Sequence, residues 1–400
     1  MSWSFEASLL CFLLIAFASQ AIAVATKGLF SLPFALGIIS ALGFAFGIIP
    51  TDIARVSRLR DVGFIAFNVL VVHSGTLINF KAIRAKRAAS LIGLVSIVML
   101  MLVFALVLTP VFGSAIALYS VGPVVGGGAA NAIASNALFR KAPELAIFPW
   151  LIFMFQAFFG LPIFALSLKT EAQSLVKGKV QAFFPEAAAI AEQAASGSGT
   201  KIKEALWHRV PVPYRGAAYY LASLMALAFL NNFIYGAFLA RFGMHPAMSA
   251  LVLGIIFGQL GILEPDPLSK ADSMGLLMLG LMALMVDAMA QTPALALLKL
   301  APIAIISMTL GTLVLLAVGL LSSRILGLSK SKALMLVSAC MVSLPPAAIV
   351  ARTMLKVFVR DAGNRKLAET ELVPDIEVIS NIVTSVAAIF AAGIAGVFLR

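Results

Sequence analysis

The sequence predicts an all-α polytopic membrane protein made of two inverted repeats of five transmembrane helices, each repeat carrying a re-entrant hairpin. Three observations predict it. Apolar residues make up 62% of the 400 positions and charged residues 12%, about half the charge of a typical soluble globule; the mean hydropathy is +1.05. Runs long enough to cross a hydrocarbon core, roughly 17–25 residues, recur along the whole chain. Two small-residue-rich stretches, 117–138 (ALYSVGPVVGGGAANAIASNAL) and 333–354 (ALMLVSACMVSLPPAAIVARTM), are each broken mid-way by Gly or Pro and lie 216 positions apart. Paired interrupted segments at matching places in two halves point to the central binding site of a transporter.

The first run, 5–26, lacks a basic leading segment and carries Glu6, so it reads as a spanning helix and not as a cleaved signal peptide. Further spans are expected at 32–49, 62–79, 88–112 and 145–168, then at 217–240, 246–263, 274–292, 297–322 and 376–399. The second span of each half opens on a proline, Pro33 or Pro246. Each also carries a glycine pair, Gly43 with Gly47 and Gly254 with Gly258, whose spacing lets helices approach closely. Segments 114–138 and 332–355 are too interrupted for spanning helices. Non-helical backbone at membrane depth is tolerated only inside protein or beside a water-filled cavity, so re-entrant hairpins are the economical reading.

The organisation is therefore an N-terminal repeat over 1–168, a linker over 169–215 and a C-terminal repeat over 216–400. The linker holds Pro185, Ser-Gly-Ser-Gly at 196–199, Pro211 and Pro213, the composition of a flexible tether. Within it KIKEALWHR (201–209) has the spacing of an interfacial amphipathic helix, with an ordinary solvated connector as the alternative. An odd number of spans per half inverts the second half. Lys and Arg number about eight in loops on the side of the N-terminus and about 20 on the other. The positive-inside rule then puts both termini outside and the linker in the cytoplasm, as in a bacterial inner membrane protein. Topology also accounts for the net charge of +12, with no nucleic-acid partner implied. Cys11 and Cys340 are isolated in apolar stretches, so neither a disulfide framework nor a zinc site is indicated.

Asp287, inside LLMLGLMALMVDAMAQ, is a charge that costs a few kcal/mol at membrane depth and needs a partner, water or an ion. It reads as a coupling-ion ligand or proton-accepting carboxylate, against a structural carboxylate bonded to a neighbouring helix. His73 occupies a similar place in the third span; an offset of 214 sets it opposite Asp287 near a pseudo-two-fold axis, with Ser74, Gly75 and Thr76 suggesting local unwinding. A satisfied packing histidine is the alternative. Arg352 ends LPPAAIVART, and its guanidinium fork matches a carboxylate. It is the candidate substrate anchor unless it only snorkels to the interface. In the first hairpin Gly126, Gly127 and Gly128 expose backbone at close quarters, while Asn131, Ser135 and Asn136 add side-chain ligands for a hard cation or a carboxylate. In the second, Ser343, Pro345 and Pro346 break the helix and free carbonyl oxygens that suit sodium. The expected sodium ligands are Asn131, Ser343 and Asp287.

No HExxH, P-loop or GxSxG is present, and three histidines form no cluster, so an enzyme is not expected. Without a nucleotide-binding domain, transport would draw on an ion gradient or on exchange. The LPFALGI opening of the second span, HSGTLINFKAIR closing the third, GPVVGGGAANAIASNALF in the first hairpin and PPAAIVART in the second carry a further signal. Over nearly its whole length the chain resembles the sodium/glutamate symporter family (GltS), a relative of the 2-hydroxycarboxylate transporters. The resemblance implies that Gly126, Gly127, Gly128, Asn131, Ser343, Pro345 and Pro346 fall in motif regions around substrate and sodium. The chain departs from the family where a Gly-His-Gly-Thr-Gly type of sequence is replaced by Gly-Gly-Gly-Ala-Ala-Asn, and where the second hairpin lacks glycine. Glutamate itself is thereby put in question.

The expected function is sodium-coupled symport of a small carboxylate, such as an acidic amino acid, by alternating access, with sodium as coupling ion and no other cofactor. Proton coupling or exchange through His73 and Asp287 is the second reading, and an ion channel the third. The expected partners are the substrate and the bilayer, with a homodimer left open.

Overall fold

The computed structural model describes residues 3–26, 28–78, 80–181, 206–242, 246–342 and 347–397, which are helical with short connectors. Helix α1 (Phe5–Ala25) is started by Ser4, whose hydroxyl accepts from Ala7 N at 3.2 Å. Next come α2 (Leu32–Ala45), the short α3 (Ile53–Val56), α4 (Leu59–Thr76), α5 (Phe80–Ala85) and α6 (Arg87–Phe112). The first interrupted segment is α7 (Ser114–Val125) and α8 (Gly127–Lys141), and α9 (Phe148–Gln181) follows it. The second half holds α10 (Ala217–Ala237), α11 (Pro246–Gln259), the short α12 (Pro267–Lys270), α13 (Met274–Ala290) and α14 (Ala294–Ile325). The second interrupted segment is α15 (Lys330–Ala339) and α16 (Ala347–Phe358), before α17 (Ala362–Val397). Among the described residues five stretches are long and apolar enough to cross a membrane: Phe5–Ala25, Arg87–Phe112, Pro143–Gly178, Ala217–Ala237 and Ala294–Ile325.

Two expected spans are shorter than the sequence suggests. α2 and α11 have 14 residues each, about 21 Å of helix against a hydrocarbon core of about 30 Å. Each is stopped by a glycine in the left-handed region, Gly47 at φ 67° and Gly261 at φ 68°. Ile48 and Ile49 N–H donate back to Gly43 O, and Ile262 and Leu263 N–H donate back to Phe257 O. The glycine pairs therefore differ. A Cβ on Gly254 would strike Val72 O, so this residue does permit close approach to α4; a Cβ on Gly43 would meet only Ile49 of its own connector, and Gly47 has open space.

Two other helices outrun their expected spans. α9 continues to Gln181, and α17 begins at Ala362 although an apolar span was expected only from 376. Two buried carboxylates in these extensions find partners. Asp375, 5% exposed, takes ion pairs from Lys86 at 2.8 Å and Lys332 at 2.7 Å, while Glu171 accepts from the hydroxyls of Ser329 and Ser331. These contacts fasten the start of α15 to α9 and α17. Of the expected linker helix over 201–209, residues 201–205 lie outside the described residues; Leu206–Arg209 is a single 3₁₀ turn.

The helices pack as two groups, and each group draws from both halves of the sequence. α1, α2, α4, α10, α11 and α13 form one, crossed most tightly where α4 meets α11 and α13. α6 to α9 and α14 to α17 form the other, which contains both interrupted segments. The groups meet where α2 packs on α9, α11 on α17, and α8 on α4 and α13.

Candidate functional site

α4 and α13 cross where two glycines remove the side chains between them. A Cβ on Gly63 would run into Gly280 O, and one on Gly280 into Gly63 N. Around this crossing the chains are antiparallel, so Arg60 at the start of α4 reaches Asp287 near the end of α13, Nε to Oδ2 at 3.2 Å. Gln291 donates to the same Oδ2 at 2.7 Å. Asp287 is 10% exposed and Arg60 29%, and the Arg60 guanidinium lies 5.4 Å from the centre of the Phe64 ring.

This pair forms one wall of a cavity of about 630 Å3. The opposite wall is the Ala132, Ser135, Asn136 and Phe139 face of α8, with Glu144 and Trp150 from the passage into α9. Spacings of three and four residues place these α8 side chains on one helical face. Ser135 Oγ donates to Ala146 O at 2.7 Å, which locks α8 to that passage. The structure therefore gathers Ser135, Asn136 and Asp287, all singled out by sequence, and adds Arg60, Glu144 and Gln291. A cavity of this size with a cation and two carboxylates among apolar and aromatic walls has the make-up of a small-molecule site.

The other expected site residues lie elsewhere. Gly126 separates α7 from α8, and a Cβ there would press on Gly122 O, Ala130 and Ala387; Gly127 has φ 66°. Both glycines serve the break and its close packing. Gly128 lies in the first turn of α8. Asn131 is fully buried, its amide donates to Gly127 O, and its Oδ1 has no partner. That oxygen is free for a cation, yet Asn131 does not line the cavity that holds Asp287. Ser343, Pro345 and Pro346 lie outside the described residues. Arg352 sits on the exposed side of α16, away from this cavity; the guanidinium inside it belongs to Arg60. No group of three or more His, Cys, Asp or Glu suited to a metal occurs among the described residues.

His73 and Asp287 do not meet. Arg60, the partner of Asp287, precedes His73 by 13 residues of α4, about 20 Å of helix. His73, 3% exposed, instead directs Nε2 to Asp266 Oδ1 at 3.6 Å, and its Nδ1 is buried without a partner. The expected unwinding at Ser74, Gly75 and Thr76 is also absent, since α4 stays helical to Thr76. Gly75 is there for contact: a Cβ on it would strike Leu251 O of α11. Gln259 Nε2 donates to Ile78 O at 2.6 Å and Ser385 Oγ to Ser74 O at 3.1 Å, which hold this end of α4 against α11 and α17.

In the sequence Arg60 is one of the roughly eight loop cations on the side of the N-terminus. Its signal was present, since a lone membrane carboxylate calls for a nearby cation, but the antiparallel crossing is needed to say which one. No protein-family model matches the chain, and no curated protein matches it.

Proposed function

We propose that this chain is a secondary active transporter that carries a small carboxylate by alternating access, driven by sodium. The observation that carries this reading is the Arg60–Asp287 pair, set in a cavity between α8, one arm of an interrupted segment, and the α4–α13 crossing. A substrate carboxylate competes with Asp287 for the Arg60 guanidinium, which suits a carboxylate fork. Once Arg60 is taken, Asp287 is left as an uncompensated charge in a mostly buried place, which costs several kcal/mol unless a cation joins it. Substrate and cation then bind together or not at all, and that is symport. An oxygen donor such as the Asp287 carboxylate favours a hard cation like sodium.

Two inverted repeats are part of the proposal, with the interrupted segments as re-entrant hairpins. Positions 214 apart share local structure: Gly47 with Gly261 and Arg58 with Asp272 all have positive φ, and α3 matches α12 in place and length. Contacts pair in the same way, α2 on α9 with α11 on α17, and α9 on α14 with α17 on α6. The resemblance to sodium/glutamate symporters supports the same architecture. With termini outside, the Arg60 end of the crossing faces outward and the His73 end faces the cytoplasm of a bacterial inner membrane.

The test is uptake by proteoliposomes of labelled small carboxylates, acidic amino acids among them, under an inward sodium gradient. Accumulation that collapses with the gradient is expected, and Asp287→Asn should uncouple it while leaving insertion intact. A second reading, proton coupling, is favoured by the buried His73–Asp266 pair; accumulation driven by a pH gradient without sodium selects it.

A further inference from the structure

A second cavity is separate from the Arg60–Asp287 site. It is a cleft of about 730 Å3 between α1 and α2 of one helix group and α9 and α16 of the other. Its lining is largely apolar, with Val24, Leu161, Val350 and Met354 among the walls. It opens on the exterior of the protein, since the lining residues Val24, Ile349 and Val357 are 68%, 54% and 72% exposed. α16 is divided by function around its axis. Ala347, Ala351 and Leu355 are buried against the protein, one flank lines the cleft, and Arg352 and Lys356 occupy the remaining edge. Lys356 lies about 60° round the axis from the cleft residue Thr353.

The charge beside the cleft is one-sided. From 352 to 366 the basic residues are Arg352, Lys356, Arg360, Arg365 and Lys366, against the single carboxylate of Asp361. Asp361 is occupied in part by Asn364 N, which donates to its Oδ1 at 2.8 Å. Among the described residues none of the five basic side chains makes an ion pair. Where an apolar cleft on the surface of a membrane protein meets the bilayer, hydrocarbon is favoured over water, and basic residues at its edge attract an anionic headgroup, by about 1 kcal/mol each.

We propose that this cleft is a binding site for an anionic phospholipid, with one acyl chain between α16 and α1–α2 and the phosphate beside Lys356, Arg360 and Arg352. Because its walls come from both helix groups, the bound chain acts as a wedge between them and holds their present separation.

The experiment is native mass spectrometry of the purified full-length protein with phosphatidylglycerol and phosphatidylcholine carrying identical acyl chains. Phosphatidylglycerol should bind at least about tenfold more tightly. The double variant Lys356→Gln with Arg360→Gln should lose about thirtyfold in phosphatidylglycerol affinity and most of its preference over phosphatidylcholine. Both positions are exposed, so the fold is spared. Thr353→Trp, which fills the cleft, should weaken both lipids. Equal binding of the two lipids by the unaltered protein, or a double variant that keeps the preference, overturns the proposal. The reading is independent of transport, so failure of uptake leaves it standing.

Discussion

The two ends of the α4–α13 crossing are built on the same plan and finished differently. At one end Asp287 meets Arg60 beside a cavity faced by α8. At the other, His73 meets Asp266 where Gly75 and Gly254 bring α4 and α11 into backbone contact. Each buried ionisable group lies near the C-terminus of its helix and faces the connector region of the opposite half. One end borders a cavity, whereas at the other the backbones of α4 and α11 are in contact. On the proposed reading as an inverted-repeat transporter, this difference is the asymmetry that alternating access requires, since exchanging the two arrangements would move the opening from one side to the other.

The comparison breaks most sharply at Arg60. Removing one partner of a charge pair in a binding site costs about 2–5 kcal/mol, so Arg60→Ala, which takes away the guanidinium offered to the substrate carboxylate, should weaken substrate binding thirtyfold or more. Arg60→Gln with Asp287→Asn, which removes both charges, should keep the fold and still fail to bind; thermal shift with substrate and sodium measures both. The closed end is tested by Gly254→Val. It forces side-chain atoms on Val72 O and should cost about 1–3 kcal/mol of stability, the usual effect of overpacking. Gly258→Ala, where a Cβ comes no nearer than 3.3 Å to Thr76, should cost much less; unfolding in detergent ranks the two. His73→Gln should change sodium-driven uptake by about fivefold or less, the scale of one hydrogen bond. A complete loss would move the proton reading to the front.

The smallest effect is expected in the connector that carries Asp266. Burial pushes the Glu264 carboxyl up, but hydrogen bonds from Lys270 at 2.7 Å and Tyr220 at 2.9 Å outweigh it and hold the group below its ordinary value. A lowered folded pKa gives stability that is present above the ordinary value and lost as pH falls through the folded one. Thermal stability should therefore fall below about pH 4, and Glu264→Gln should flatten that dependence.

The helices were largely legible in the sequence because hydrocarbon-length apolar runs leave few other solutions. Their ends were less so. α2 and α11 stop early at glycines whose left-handed conformation depends on the connector that follows, and α17 starts early because Asp375 is neutralised by Lys86 and Lys332 from distant helices. The candidate site was legible only in part. Ser135, Asn136 and Asp287 stood out as polar residues in apolar surroundings, whereas Arg60 looked like an ordinary loop charge. His73 and Asp287 matched by sequence offset, but an antiparallel crossing sends equivalent positions to opposite ends. Arg352 drew attention by its chemistry, and its place on an exposed edge follows from the face that α16 buries.

The account stands on substrate and cation binding together at Arg60 and Asp287. Its most direct test is binding of the carboxylate substrate found by the uptake screen, measured with purified protein across a sodium titration, for the unaltered chain and for Asp287→Asn. Affinity that rises with sodium in the unaltered protein and becomes independent of sodium in the variant is the predicted result. Sodium dependence that is equal in the two proteins would contradict it.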